Sequence, residues 1–176
     1  MASLPRRIVL TGSESTGKST LARELADHFQ VPLIPEFSRS YAEDLDRALT
    51  AADVEPIARG QALAEKLGLE NQTLAVFDTD LVSTYVYARH YYGAVPDWIA
   101  SAIRRYPPSA YLLCDIDLPW VSDGIRDQPH DRAAIHRQFQ TALGSFGIEP
   151  LPIQGTGPSR LERAIAALTR WPNRKR

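Results

Sequence analysis

The chain has 176 residues, of which 44% are hydrophobic and 23% are charged, and its formal net charge is -1 at pH 7. This length and composition predict one globular domain, residues 1–176, with a full hydrophobic core. The charge excludes a global positive field that would attract nucleic acid, and no apolar segment approaches the length of a membrane span. Since the start of the chain lacks the apolar core of a signal peptide, we expect a cytoplasmic protein.

Short apolar segments typical of strands alternate along the chain with longer segments of helical periodicity. The strand candidates are RIVLTG, VPLIPE, LAVFDTD, AYLLCDID and EPLPIQG. The helix candidates are KSTLARELADHF, SYAEDLDRAL, AADVEPIARGQALAEKLGLE, LVSTYVYARHYYG, PDWIASAIRRY, HDRAAIHRQFQTALGSFG and PSRLERAIAALTR. Apolar strands separated by helices predict an α/β fold, in which a five-stranded parallel sheet is covered by helices on both faces.

Polar residues or glycines directly follow every predicted strand. They are the loop at residues 12–19, Glu36, Asp78 with Asp80, Asp115 with Asp117, and Gly155 with Gly157. In sheets of this kind, ligands bind beyond the carboxyl ends of the strands. We therefore expect one phosphate-type loop and several carboxylates to meet at one edge of the sheet.

The loop GSESTGKST follows the first strand and begins the first helix. It fits the pattern G-x-x-x-x-G-K-[ST], in which glycines let consecutive N–H groups turn toward phosphate oxygens and the helix start adds its unpaired N–H groups. We expect Lys18 to reach the β- and γ-phosphates of ATP and the Ser19 hydroxyl to bind Mg²⁺. The predicted nucleotide-binding residues of the loop are Gly12, Ser13, Glu14, Ser15, Thr16, Gly17, Lys18, Ser19 and Thr20.

The rest of the chain narrows the class of phosphate-loop protein. It contains neither D-x-x-G nor N-K-x-D, so a guanine-nucleotide switch is disfavoured. Neither LAVFDT nor YLLCDI ends in the Asp-Glu pair of a typical motor ATPase. These features and the small size favour a kinase that phosphorylates a small molecule.

A kinase also needs a pocket that holds the acceptor hydroxyl in line with the γ-phosphate. Pro35 keeps Ile34 extended, so the second strand is expected to run to the edge of the sheet and end at Glu36. Arg39 lies three residues further on, and the two charged residues could form one polar patch that binds the substrate. The alternative for this pair is a surface ion pair.

Two carboxylates follow the strand LAVF. Asp78 and Asp80 are expected to emerge on the same side of the chain if it stays extended. One could organise Mg²⁺ through water, and one could accept a hydroxyl proton or hydrogen-bond a ribose. We predict Asp78 as a catalytic residue and metal ligand, and both as substrate-binding residues. For Asp80 the alternative is a cap on the following helix.

The polar segment DLPWVSDGIRDQPHDR, residues 117–132, predicts a lid between a strand and a helix. Arg126 and Arg132 could fold over the triphosphate, neutralise charge during transfer and exclude water. We predict Arg126 as a catalytic residue, Arg132 as a nucleotide-binding residue, and Trp120 and Asp123 as substrate-binding residues. The alternative for each arginine is a solvated loop.

Tyrosines crowd the predicted helix after Asp80, at positions 85, 87, 91 and 92. Aromatic faces suit a flat heterocycle, especially a cationic one. Because tyrosines two residues apart point to different sides of a helix, at most some of them can line a pocket. We predict core packing for each.

Four segments together resemble the ribosylnicotinamide kinase domain of NadR-type NAD-biosynthesis proteins. They are LTGSESTGKSTLARELADHF, IPEFSRSY, FDTDLVSTYVYARHYYG and YLLCDIDLPWVSDGIRD, and the resemblance covers residues 7–163. It implies a nucleoside kinase fold and the ATP-dependent phosphorylation of the 5′-hydroxyl of nicotinamide riboside, giving nicotinamide mononucleotide. It also implies that Lys18 and Ser19 serve ATP and Mg²⁺, while Glu36 with Asp78 or Asp80 serves the riboside and proton removal.

The chain departs from the longer members of this family. They carry an adenylyltransferase domain, and some also a DNA-binding domain, for which 176 residues leave no room. We therefore expect the reaction to stop at the mononucleotide, without a nucleic-acid partner. A kinase for another nucleoside or nucleotide, and an ATP-binding regulatory module, are the alternatives. The sequence does not indicate an oligomeric state.

Overall fold

The computed structural model describes residues 6–106, 109–121 and 131–171. The strands are β1 (Arg7–Thr11), β2 (Leu33–Ile34), β3 (Ala75–Asp78), β4 (Ser109–Cys114) and β5 (Leu151–Ile153). They form one sheet in the order β2-β3-β1-β4-β5, and each pair of neighbours in it is parallel. The predicted five-stranded parallel sheet is confirmed, and the carboxyl ends of its strands lie at one edge.

Seven α-helices connect and follow these strands in the described ranges. They are α1 (Lys18–Phe29), α2 (Phe37–Glu43), α3 (Val54–Gly68), α4 (Leu81–Tyr92), α5 (Asp97–Arg104), α6 (Arg132–Ser145) and α7 (Pro158–Thr169). A short 3-10 helix, Ala51–Asp53, precedes α3. None of the helices in the described part of the chain is long and apolar enough to cross a membrane.

The helices cover both faces of the sheet, as predicted. Alternate side chains of the central strand β1 point to opposite faces. Ile8 and Leu10 pack in the core cluster formed with α1 and α7, whereas Val9 packs in the cluster formed with α3, α4, α5 and α6. Two apolar layers therefore hold the sheet between the helices and fix the edge at which the strands end.

One helix begins and ends differently from the prediction. The segment SYAEDLDRAL was expected to be helical, but α2 begins three residues earlier and ends at Glu43. Residues 44–50 turn because two of their side chains bind Asp53. The Arg47 guanidinium lies 2.7 Å from that carboxylate, and the Thr50 hydroxyl donates to it over 2.8 Å in a capping box.

Candidate active site

The phosphate loop between β1 and α1 has the backbone that its glycines allow. Gly12 has a φ of 129°, and a Cβ there would lie 2.8 Å from the carbonyl oxygen of Cys114 in β4. Gly17 has a φ of 73° and occupies the N-cap of α1 without a side-chain cap. No side-chain cap at Gly17 therefore takes up the first N–H groups of α1, which is what an anion-binding helix start requires.

Lys18 lies across this loop. Its ammonium donates to the carbonyl oxygen of Ser13 over 2.6 Å, and the Thr16 hydroxyl donates to the same oxygen over 2.8 Å. Ser13 and Thr16 are fully buried, Glu14 is buried as well, and Thr20 is exposed on α1. A cation and a helix start thus meet in one turn of chain, which is an arrangement that binds phosphate.

Arg132 holds the loop from the direction of the predicted lid. Its guanidinium donates to the carbonyl oxygens of Ser15 and Leu118, each over 2.8 Å. The Ser15 hydroxyl also donates to the carbonyl oxygen of Val121 over 2.7 Å. In this structure Arg132 therefore ties the base of the lid to the loop, and its predicted contact with the triphosphate stays a prediction.

Arg160 of α7 also holds this loop, a contact that no sequence pattern predicts. It is 5% exposed and donates to the carbonyl oxygen of Thr16 over 2.8 Å. It also donates to the carbonyl oxygen of Gly155 over 2.6 Å and to Asp117 over 3.0 Å. No motif marks an arginine within a helical segment, so only the fold reveals this contact.

Asp78 lies at the end of β3 beside the phosphate loop. It is 7% exposed, and the Ser19 side chain lies close enough to act on the pKa of its carboxyl. Burial raises the pKa of Asp78, and the charge of Glu36 adds to this, whereas Ser19, Lys18 and Arg39 oppose it. Its Oδ1 atom is buried without a hydrogen-bond partner among the described residues. A carboxylate oxygen and a hydroxyl at this position fit Mg²⁺, which prefers oxygen ligands.

Asp80 does not join Asp78, so the prediction that the two emerge on the same side is wrong. The reason is Thr79, whose φ of 70° ends the extended chain. Asp80 is 1% exposed, accepts from the Val82 amide over 2.9 Å and lies 3.3 Å from Arg7. Asp80 therefore caps α4, as the alternative for this residue proposed, and its predicted role in substrate binding stays a prediction.

Arg7 and Glu65 extend this buried polar cluster beneath the edge of the sheet. The two side chains lie 2.8 Å apart, and the Arg7 guanidinium lies 3.7 Å from the centre of the Tyr106 ring. Burial raises the pKa of Glu65 to about 7, and the charge of Arg7 opposes this. Burial acts to lower the pKa of Arg7, but the charges of Glu65 and Asp80 outweigh it and raise that pKa.

A cavity of about 380 Å³ lies between α2, α3 and α4. Glu36 and Thr79 belong to its lining, together with apolar residues of α3 such as Ile57. No lysine or arginine is among the described residues that line it. Its volume is in the range of pockets that enclose small molecules.

Three tyrosines of α4 contribute to this cavity: Tyr87, Tyr91 and Tyr92. The rings of Tyr87 and Tyr91 are stacked, with centroids 6.1 Å apart, because the two residues are four apart on the helix. Tyr85 packs edge-on against Phe146, as core packing predicts. That prediction is incomplete for the other three, which also face the cavity.

Glu36 connects the cavity with the phosphate loop. It lines the cavity, accepts from the Ser38 hydroxyl over 2.7 Å, and acts electrostatically on Asp78. Arg39 also acts electrostatically on Asp78, and the predicted substrate-binding patch of Glu36 and Arg39 stays a prediction. Since Ser19 and Lys18 of the loop also act on Asp78, the acidic end of the cavity lies next to the loop.

Of the three other predicted lid residues, the structure describes Trp120 alone. Trp120 is half-buried and does not line the cavity. Arg126 and Asp123 lie outside the described residues. Their predicted roles therefore stay predictions.

The model of a family described as AAA domain matches residues 7–160. The chain belongs to the AAA domain family. It is also 31% identical over 151 residues to the trifunctional NAD biosynthesis/regulator protein NadR of Salmonella typhimurium, and 31% identical over 143 residues to that of Escherichia coli. These matches cover 82% and 78% of this chain but 37% and 34% of the relatives, so the chain spans about a third of their length.

Solved structures agree with the similarity to NadR and with the fold described above. A NadR protein in complex with NR is 25% identical, has a TM-score of 0.82 and matches 98% of this chain and 53% of its own. Thymidylate kinase from Ehrlichia chaffeensis is 13% identical, has a TM-score of 0.67 and matches 95% of this chain and 98% of its own. The resemblance to NadR-type proteins and the kinase-like α/β fold are confirmed.

Proposed function

We propose that this protein transfers the γ-phosphoryl group of ATP to the 5′-hydroxyl of nicotinamide riboside. The observation that carries the proposal is the junction of Glu36, Asp78 and Ser19, where an aromatic cavity meets a phosphate loop. The NadR structure that this chain resembles contains NR, the abbreviation of nicotinamide riboside. The product is nicotinamide mononucleotide.

The lining of the cavity favours a nucleoside acceptor over a nucleotide. An acceptor with its own phosphate is usually held by arginine or lysine, and neither lines the cavity in the described part of the chain. The nicotinamide ring of the riboside carries a positive charge. The tyrosine faces of α4 and the carboxylate of Glu36 attract such a cation.

The residues divide the reaction between them. Lys18 and the start of α1 bind the phosphates, and Glu36, which lines the acceptor cavity, takes the proton of the 5′-hydroxyl. A bond forms between this oxygen and the γ-phosphorus as the bond from that phosphorus to the bridging oxygen breaks, and ADP leaves. Ser19 and Asp78 would hold Mg²⁺, which neutralises charge on the phosphates when bound.

Release of ADP with a panel of acceptors tests the proposal. Purified protein with MgATP is offered nicotinamide riboside, adenosine, thymidine, cytidine, uridine or thymidine monophosphate, and the products are identified by mass. We expect strong ADP release and a mononucleotide product with nicotinamide riboside alone. Preference for another acceptor would identify that compound, and not nicotinamide riboside, as the substrate. Equal ADP release with and without every acceptor would favour a regulatory module.

A further inference from the structure

Helix α3 supplies hydrogen-bond acceptors to the beginnings of two other helices. The Gln61 side-chain oxygen accepts from the backbone N–H of Phe37 over 3.0 Å, and Glu65 accepts from that of Leu81 over 3.2 Å. Phe37 and Leu81 are the first residues of α2 and α4. The first N–H groups of a helix have no partner within the helix. Gln61 and Glu65, one helical turn apart, satisfy one such group in each of two helices.

These two helices begin at the candidate active site. Glu36 directly precedes α2 and makes no side-chain cap of its own, so Gln61 provides the cap at this point. Thr79 and Asp80 separate Asp78 from the beginning of α4. The relative position of Glu36 and Asp78 therefore depends on how α3 holds the two helix starts.

The two acceptors form one rigid unit. The Gln61 amide donates to Glu65 over 3.1 Å, and the other carboxylate oxygen of Glu65 lies 2.8 Å from Arg7. Gln61 is 2% exposed, Glu65 is 3% exposed and Arg7 is fully buried. Phe37 packs so closely on α3 that a Cβ at Gly60 would overlap its ring. Buried side chains whose polar atoms all have partners, as those of Gln61 and Glu65 do, specify one geometry.

We infer that Gln61 and Glu65 are positioning residues for phosphoryl transfer, because they set the spacing between Glu36 and Asp78 by capping α2 and α4. The inference rests on the proposed function, which gives these two carboxylates their roles. Gln61 also lines the cavity, whereas Glu65 does not. Variants of Glu65 can therefore test the positioning role without changing a residue that contacts the acceptor.

Amide hydrogen exchange tests the caps without any turnover. In Gln61→Leu, the Phe37 amide should exchange about tenfold faster, which corresponds to the loss of one hydrogen bond, while the Leu81 amide keeps its wild-type rate. Wild-type protection of the Phe37 amide in this variant would overturn the inference. Because this readout does not depend on the substrate, it remains decisive even if nicotinamide riboside is not the acceptor.

Kinetics of Glu65 variants test the consequence for catalysis, with the best acceptor from the panel. Glu65→Met removes the acceptor of the Leu81 N–H, while Asp80 still accepts from the Val82 amide and stays paired with Arg7. We expect kcat to fall at least about tenfold while KM for ATP stays within about twofold. Glu65→Gln keeps an oxygen for the Leu81 amide and should recover most of the lost kcat. Equal kcat in all three proteins would overturn the positioning role.

A matched control separates positioning from stability. Leu168 of α7 is buried on the opposite face of the sheet. Leu168→Ala should lower the unfolding temperature, yet leave kcat and both KM values within about twofold of wild type at 25 °C. If Leu168→Ala lowers kcat as much as Glu65→Met does, the effect of Glu65 is one of stability and the inference fails.

Discussion

The phosphate loop and the acceptor cavity meet at one edge of the sheet, but the chain builds them differently. The loop is one continuous segment, residues 12–20, whose shape depends on two glycines and on the strands beside it. The cavity is assembled from α2, α3, α4 and the turn at residues 44–50. The loop is thus built mainly from neighbouring residues, whereas the lining of the cavity combines residues distant in sequence.

Removing the lysine of the loop should have the largest effect. Lys18→Ala deletes the cation that would bind the β- and γ-phosphates, so we expect kcat to fall about 10³-fold with every acceptor. Circular dichroism should show an unchanged fold. Arg23→Ala, at an exposed position of the same helix, is the control and should keep full turnover. If kcat falls less than about tenfold in Lys18→Ala, the loop does not take part in catalysis.

Asp78→Asn acts where the loop and the cavity meet and should lower kcat roughly 300-fold. The variant should also need more Mg²⁺ for half-maximal rate, because an amide oxygen holds the ion less tightly than a carboxylate. Titration of the rate with MgCl₂ measures this change. Asp46→Asn, at an exposed position, serves as the control. Unchanged turnover in Asp78→Asn would exclude Asp78 as a catalytic residue.

The same variant should be more stable than the wild type at neutral pH. Burial raises the pKa of Asp78 in the folded state, so folding favours the protonated carboxyl. Its contribution to stability is complete below the ordinary pKa of aspartate and is lost as the pH rises through the raised value. At pH 7 the asparagine removes this cost, and the unfolding temperature without nucleotide should rise. A lower unfolding temperature would contradict this account.

Glu36→Gln changes the cavity side alone. We expect kcat with nicotinamide riboside to fall about 10²-fold, because the amide cannot take the hydroxyl proton, while KM for ATP stays the same. Steady-state kinetics in both substrates measure the two effects. Glu43→Gln, at an exposed position of α2, should behave as wild type. If KM for ATP rises together with the loss of kcat, Glu36 belongs to the loop rather than to the cavity.

Tyr91→Leu should have the smallest effect and should be confined to the acceptor. Tyr91 lines the cavity and is 38% exposed, so the substitution costs little stability. We expect KM for nicotinamide riboside to rise about threefold through the loss of a cation–π contact. Tyr85→Leu, on the same helix but packed against Phe146, should leave this KM unchanged. An equal rise in both variants would assign the effect to the helix and not to the cavity.

The sequence predicted the fold and the loop because both follow from patterns within short segments. All five strands and the loop motif were found in this way. The end of α2 was missed because Arg47 and Thr50 bind Asp53, a preference that helical periodicity does not reveal. Asp80 was misplaced because nothing in the letters Asp-Thr-Asp indicates a left-handed backbone at Thr79.

The helical pattern of α3 itself carries a signal for Gln61 and Glu65. They share the buried face of α3 with Val54, Ile57 and Ala58, so the helical pattern contains two polar residues on its apolar side. Polar residues at such positions need buried partners. Those partners, Phe37 and Leu81, are backbone groups from distant parts of the chain, so only the fold identifies them.

The two arginines that bind the phosphate loop also orient the N–H groups on the other side of its peptide bonds. Arg132 and Arg160 bind the carbonyl oxygens of Ser15 and Thr16. In a trans peptide the N–H points opposite to the C=O, so each bond also turns the amide of the next residue away from the arginine. The dipoles of these peptides are thus aligned before the nucleotide arrives, and binding does not have to supply the energy of turning them.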